Sequence, residues 1–102
     1  MPAYIIADVE VTDPTQYEEY KKLSTAAMQA HGAEVLVRGG RTEPLEGRAP
    51  HRVVVLRFPS IEAARAFYDS SDYARARAAR AGAAIMNMFI VEGLAQPDNN
   101  KP

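Results

Sequence analysis

From Ala3 to Val11 the chain reads Ala-Tyr-Ile-Ile-Ala-Asp-Val-Glu-Val. β-Branched residues dominate, and from Ala7 onward apolar and acidic residues alternate with a period of two. That pattern predicts a strand with one apolar face and with Asp8 and Glu10 on the other. Thr12-Asp13-Pro14 announces a helix, because Asp13 can accept from free first-turn amides and Pro14 has no N–H to satisfy. The helix is expected to run from Pro14 to about His31. Tyr17, Tyr20, Ser24, Ala27, Met28 and His31 recur at steps of three and four and form its buried stripe. Gly32 closes it in a left-handed conformation. Glu34–Arg38 predicts a second strand, and the pair Gly39-Gly40 predicts a bulge or sharp bend. Arg41–Leu45 is a candidate continuation, confined to a sheet edge because Pro44 cannot donate to a ladder. Residues 46–50 read as a loop, and Arg52–Phe58, with its apolar run Val53–Leu56, as the most evident strand.

Ser60 caps a second helix that carries Ala63, Ala64, Phe67 and Tyr68 on its inner stripe. Ser70-Ser71-Asp72 breaks it, and a further helical segment spans Tyr73 to about Ala81, stopped by Gly82. Ile85–Glu92 is the last strand. The order β-α-β-β-α-β is the split βαβ pattern of ferredoxin-like α+β folds, with an antiparallel four-stranded sheet and the helices on one face. A single domain over residues 1–95 is expected, followed by Gln96–Pro102 as a disordered polar tail. The free face of such a sheet should be polar. Here Ile5-Ile6, Val53–Leu56 and Met88–Val91 place apolar side chains on both faces. An uncovered apolar face of that size is rare on a monomer, so the pattern predicts a homodimer with two sheets packed face to face, barrel-like.

The chain has 102 residues, 47% hydrophobic and 25% charged, with a net charge of −1, so there is no basic excess to bind nucleic acid. It has no cysteine, which excludes a disulfide framework, a thiolate metal site and a thiol nucleophile, and fits a cytoplasmic protein. No apolar run is long enough to span a membrane. The only two histidines, His31 and His51, lack the spacing of a zinc or haem site, and no phosphate loop, dinucleotide fingerprint or nucleophile elbow occurs. Neither metal nor cofactor is expected.

Several segments resemble the DUF1330 family: Ala3–Pro14, Leu36-Val37-Arg38-Gly39-Gly40, Arg52–Ala64, Phe67–Tyr73, Arg80-Ala81-Gly82-Ala83 and Val91-Glu92-Gly93. The resemblance covers residues 3–94. It implies membership of the dimeric α+β barrel superfamily, whose other branches include cofactor-free monooxygenases of antibiotic biosynthesis, muconolactone isomerases, haem-degrading enzymes and stress-responsive barrel proteins. A small aromatic or anionic ligand between sheet and helices is the function this implies, with cofactor-free oxygenation or isomerisation by fold analogy. A dimeric binding or stress-related module without turnover is the alternative.

The candidate ligand-binding residues are Arg38, Gly39, Gly40, Tyr68, Tyr73 and Arg80. Gly39 and Gly40 would let backbone amides approach a ligand while Arg38 pairs with its carboxylate or phenolate. The same residues would equally serve as a bend, with Arg38 paired to Asp8, Glu10 or an acid of a second copy. Tyr68, Tyr73 and Arg80 flank the helix break and could offer two phenols and a guanidinium, or be core tyrosines with a capping arginine. His31 and Asp8 are the candidates for proton transfer. His31 would otherwise be a helix C-terminal residue favoured by the dipole, and Asp8 an ion partner of Arg57 on a neighbouring strand. His51 reads as a surface residue.

Overall fold

The alternation in Ala3–Val11 produces the central strand, β1, of a four-stranded sheet in the computed structural model. Residues 1–95 are described; the expected tail Gln96–Pro102 lies outside them. Seven elements follow in the order β1 (Ala3–Val11), α1 (Pro14–Ala30), β2 (Glu34–Arg38), β3 (Arg52–Phe58), α2 (Ile61–Asp69), α3 (Ser71–Ala79) and β4 (Ala84–Glu92). The sheet runs β2-β3-β1-β4 and every neighbouring pair is antiparallel, which is the ferredoxin-like arrangement.

Period-two alternation sorts β1 cleanly. Ala3, Ile5, Ala7 and Val9 are buried beneath the helices. Their neighbours Tyr4, Ile6 and Asp8 stay only partly covered on the opposite face. The α1 stripe Tyr17, Tyr20, Ser24, Ala27 and Met28 closes over the inner face. Phe58, Phe67 and Tyr73 complete the core, with ring centroids 5.4 Å apart for Phe58 and Phe67 and 4.7 Å for Phe67 and Tyr73. Asp13 caps α1 by accepting from the Gln16 amide at 3.1 Å. Ser70 serves two helices. Its amide and hydroxyl donate to the Phe67 carbonyl at the end of α2, and its hydroxyl accepts from the Tyr73 amide to start α3. That capping begins α3 at Ser71, two residues before the sequence pattern suggested, and it ends at Ala79.

Three expectations need correction, and of the two readings of Gly39-Gly40 the bend holds and the bulge lies elsewhere. Arg41–Leu45 forms no strand: its polar side chains have nothing to bury and Leu45 is 94% exposed. The bulge in the second strand falls between Val35 and Val37, and Gly39, at φ +71°, ends the strand and turns the chain away. α1 stops at Ala30, so His31 leaves the buried stripe and sits exposed as the C-cap. Asp8 and Arg57 do not meet. Asp8 lies opposite Val53 and Asn87, whereas Arg57 lies opposite Tyr4 and pairs with Glu34 at 3.2 Å.

On the face away from the helices the register lines up Val37, Val55, Ile6 and Phe89 across all four strands. Ile85 and Val91 flank this row on β4, 64% and 42% exposed. The apolar residues read on both faces of the strands are therefore there, and among the described residues no helix covers the second set.

Candidate functional site

Between α1 and the inner sheet face a cleft penetrates the core. Ala7 on β1 and Ser24 on α1 are small residues facing it from opposite sides, with Ile5, Val54 and Leu56 beside them. The space a water can occupy within it is about 30 Å³. Enclosed space of that size holds one or two waters, since about 10–15 Å³ suffices for one. Lys21, Arg38 and Arg52 stand among its lining residues, and no carboxylate does.

Strand register puts the two arginines there. Arg38 lies opposite Val54 and therefore shares the inner face with Val54, Leu56 and Arg52. Arg38 donates through Nη2 to the Thr25 hydroxyl on α1. The Arg52 guanidinium lies across Gly39, where a Cβ would collide with it. Its Nε is buried without a hydrogen-bond partner. The glycine is thus required twice, for its positive φ and for the arginine above it. At Gly40, next to it, an added Cβ would meet only open space.

Tyr20 and Tyr73 form the deep polar end. Their hydroxyls are 2.7 Å apart and buried. The Arg80 guanidinium carbon lies 5.4 Å from the Tyr20 ring centroid, and the Met88 sulfur 4.0 Å from the Tyr73 hydroxyl. Burial, then the neighbouring Tyr73, pushes the Tyr20 phenol well above its ordinary value. Burial also raises Tyr17, against the opposing pull of the Arg52 charge. Both phenols remain protonated donors at neutral pH.

The structure therefore brings Arg38 and Tyr73 to one cleft, with Tyr17 and Tyr20, expected only as buried-stripe residues, and Arg52, which was not a candidate. Arg80 does not line the cleft and lies behind it against the Tyr20 ring. Arg52 left one signal: it shares parity with Val54, Leu56 and Phe58, an arginine on the apolar side of an inner strand. Tyr68 goes elsewhere. Its ring lies 5.6 Å from that of Tyr73, but it borders a separate hollow with Arg65, Met88, Phe89 and Ile90. Arg77 stacks on it, with the guanidinium carbon 4.5 Å from the ring centroid. His31 sits outside the cleft, with Nε2 3.7 Å from Asp72. Asp8 occupies the opposite face of the sheet, where it accepts from the His51 amide at 2.9 Å. The His51 ring stands between Asp8 and Glu10, 3.9 Å and 3.8 Å away. Among the described residues no group of three or more side chains is placed to hold a metal ion, and no helix is long and apolar enough to cross a membrane.

The profile of a domain of unknown function, DUF1330, matches residues 2–94. The chain belongs to the DUF1330 family. No curated protein matches it. Among solved structures, this DUF1330 chain is similar to a protein of unknown function from Rhodopseudomonas palustris, at 19% identity and a TM-score of 0.72, over 93% of this chain and 84% of that one. It is similar to SnoaB, a cofactor-independent oxygenase from Streptomyces nogalater, at 12% identity and a TM-score of 0.59, over 95% and 98% of the two chains. A dimeric ferredoxin-like protein of unknown function from Thermobifida fusca matches at 20% identity and a TM-score of 0.58, over 89% and 92%. Similarity at these identities establishes the shared fold.

The buried phenols carry a stability consequence. A phenol whose folded pKa lies above its unfolded value of about 10 contributes fully below pH 10, and the contribution is lost as pH rises through the folded pKa. Unfolding midpoints followed from pH 8 to pH 11 should be flat at first and then fall above about pH 10. Tyr20→Phe should flatten that fall, and an equally steep fall in the variant would contradict the assignment.

Proposed function

We propose that this DUF1330 protein binds a small organic anion with an apolar, aromatic or enolisable body in the cleft between the sheet and α1, and that it acts as a homodimer. Charge placement at the cleft supports the first part best. Lys21 is paired with Glu18 at 2.6 Å, whereas Arg38 and Arg52 have no acid within ion-pair distance among the described residues. Two uncompensated guanidinium groups beside an apolar cleft suit a carboxylate or phenolate, which their planar forks bind bidentately. The apolar lining suits the ligand body, and admitting it requires the cleft to widen beyond its present water-sized space through movement of the flexible Met28, Met86 and Met88.

Enolates and phenolates are also the species on which cofactor-free oxygenation or isomerisation begins, and arginines beside the cleft would stabilise such an anion. By fold analogy with the oxygenase from Streptomyces nogalater, turnover of this kind is the enzymatic form of the proposal. One observation favours the alternative, a binding module without turnover. Tyr17 and Tyr20 hold their protons more tightly than free phenols, so they donate hydrogen bonds but abstract no proton. His31 and Asp8, the groups suited to proton transfer, lie outside the cleft.

Two features support the dimer. The row Val37, Val55, Ile6 and Phe89 forms an apolar band on a face that the chain's own helices do not cover. At about 25 cal/mol per Å², covering several hundred Å² of it is worth on the order of 10 kcal/mol. That rivals the whole stability of a small domain, about 5–15 kcal/mol. A protein of the same fold from Thermobifida fusca is described as dimeric.

Benzoate and phenylacetate should raise the melting temperature, by an amount equivalent to about 2.7 kcal/mol at a hundredfold excess over Kd. The neutral benzyl alcohol should not, and the double variant Arg38→Met/Arg52→Met should abolish the shift. No shift with any small aromatic acid would refute the binding proposal. Oxygen consumption or product formation from a bound acid then separates enzyme from binding module. In sedimentation at micromolar concentration the protein should run near twice its 11.2 kDa chain mass. The pair Ile6→Asp/Phe89→Asp should shift it to the single-chain mass. A well-folded single chain in the unmodified protein would refute the dimer.

A further inference from the structure

We infer that the ligand carries oxygen functions at two ends: a carboxylate taken by Arg52, and a carbonyl or phenolic oxygen that accepts from the Tyr20–Tyr73 pair. This inference rests on the binding proposal above and specifies its chemistry. It follows from a count of donors and acceptors at the polar groups of the cleft.

Arg52 offers more donors than its one neighbouring acceptor, the Tyr17 hydroxyl, can take. Its Nε is buried and unpartnered, and its outer guanidinium nitrogens lie over the bare backbone of Gly39. A buried, unpaired donor on a charged group is costly, and an anionic oxygen is the acceptor that relieves it. The tyrosine pair is likewise rich in donors. Two phenols bring two hydrogens, and one is spent in the 2.7 Å contact between the hydroxyl oxygens. The other has the Met88 sulfur, at 4.0 Å, a weak acceptor. Arg80 adds a guanidinium alongside, and its Nε is also buried without a partner. Burial works against the Arg80 charge, and the Tyr73 and Tyr20 hydroxyls beside it more than offset that. The two phenol oxygens are the acceptors at this end, shared between the tyrosine contact and Arg80, and the Tyr73 hydrogen is left with only the Met88 sulfur.

Ile5, Ala7, Val54 and Leu56 supply the apolar lining. A matching ligand has an acceptor at each end and an apolar, planar middle, as in an oxo- or hydroxy-substituted aromatic acid. An unsubstituted aromatic acid satisfies Arg52 alone. A neutral aldehyde or phenol satisfies the tyrosine pair alone.

Isothermal titration of the full chain with para-formylbenzoate, para-methylbenzoate and benzaldehyde tests this directly. The two acids have similar size and differ in whether the para group accepts a hydrogen bond. The formyl acid should bind about tenfold more tightly than the methyl acid, equivalent to about 1.4 kcal/mol. Tyr73→Phe should erase that preference and leave the methyl acid's affinity unchanged. Arg52→Gln should weaken both acids at least tenfold and leave benzaldehyde unchanged, and Arg52→Lys, which keeps the charge, should recover part of the loss. Equal binding of the two acids to the unmodified protein would overturn the two-ended assignment while leaving the binding proposal standing. Failure of all three probes to bind would overturn both.

Discussion

Burial of the inner face of β1 under α1 is the constraint on which the rest of the molecule depends. Ala3, Ile5, Ala7 and Val9 alternate toward the helices, and two of these four are alanines. Ala7 and Ser24 of α1 both line the cleft, and neither side chain is long enough to fill the space between helix and sheet. Larger residues there would give a solid core. The small pair leaves a cleft, and the tyrosines of the same helical stripe, Tyr17 and Tyr20, become part of its lining.

The charges around this cleft follow from strand parity. Arg38 and Arg52 occupy inner-face positions near the ends of their strands, close to where Gly39 turns the chain away. On the outer face, parity places Asp8 beside His51 and sets Arg57 against Glu34. Acids and bases are thus sorted by the sheet: the outer face pairs its charges, and the inner cleft keeps guanidinium groups without carboxylates. A cationic cleft beside an apolar core is suited to anions in a way that a balanced surface is not.

Elements with strong periodicity were legible in the sequence. The alternation of β1, the capped start at Asp13-Pro14 and the apolar run Val53–Leu56 each settled an element, and apolar neighbours such as Ile5-Ile6 showed that both sheet faces would be apolar. Less legible was anything decided by register or by a helix end. His31 fits the three-and-four spacing of the α1 stripe, yet the helix stops one residue before it. Asp8 and Arg57 are both lone charges in apolar strands, but their register numbers put them in different rows. Arg52 escaped notice because a charge at the start of a strand reads as a boundary residue. Only the pairing of the Gly39 amide with the Val53 carbonyl, which brings β2 and β3 together, shows Arg52 lying over the glycine. Tyr68 and Tyr73 are close in sequence and in space, but the helix break at Ser70 sends their side chains to different hollows.

The methionines allow the central claim to be tested without assuming a ligand. Of the four in the chain, Met28, Met86 and Met88 line the cleft and Met1 does not. In a protein with isotope-labelled methionine methyl groups, titration with a small aromatic acid should move the signals of Met28, Met86 and Met88 and leave Met1 in place. Saturable binding that leaves all three cleft signals unmoved would contradict the account.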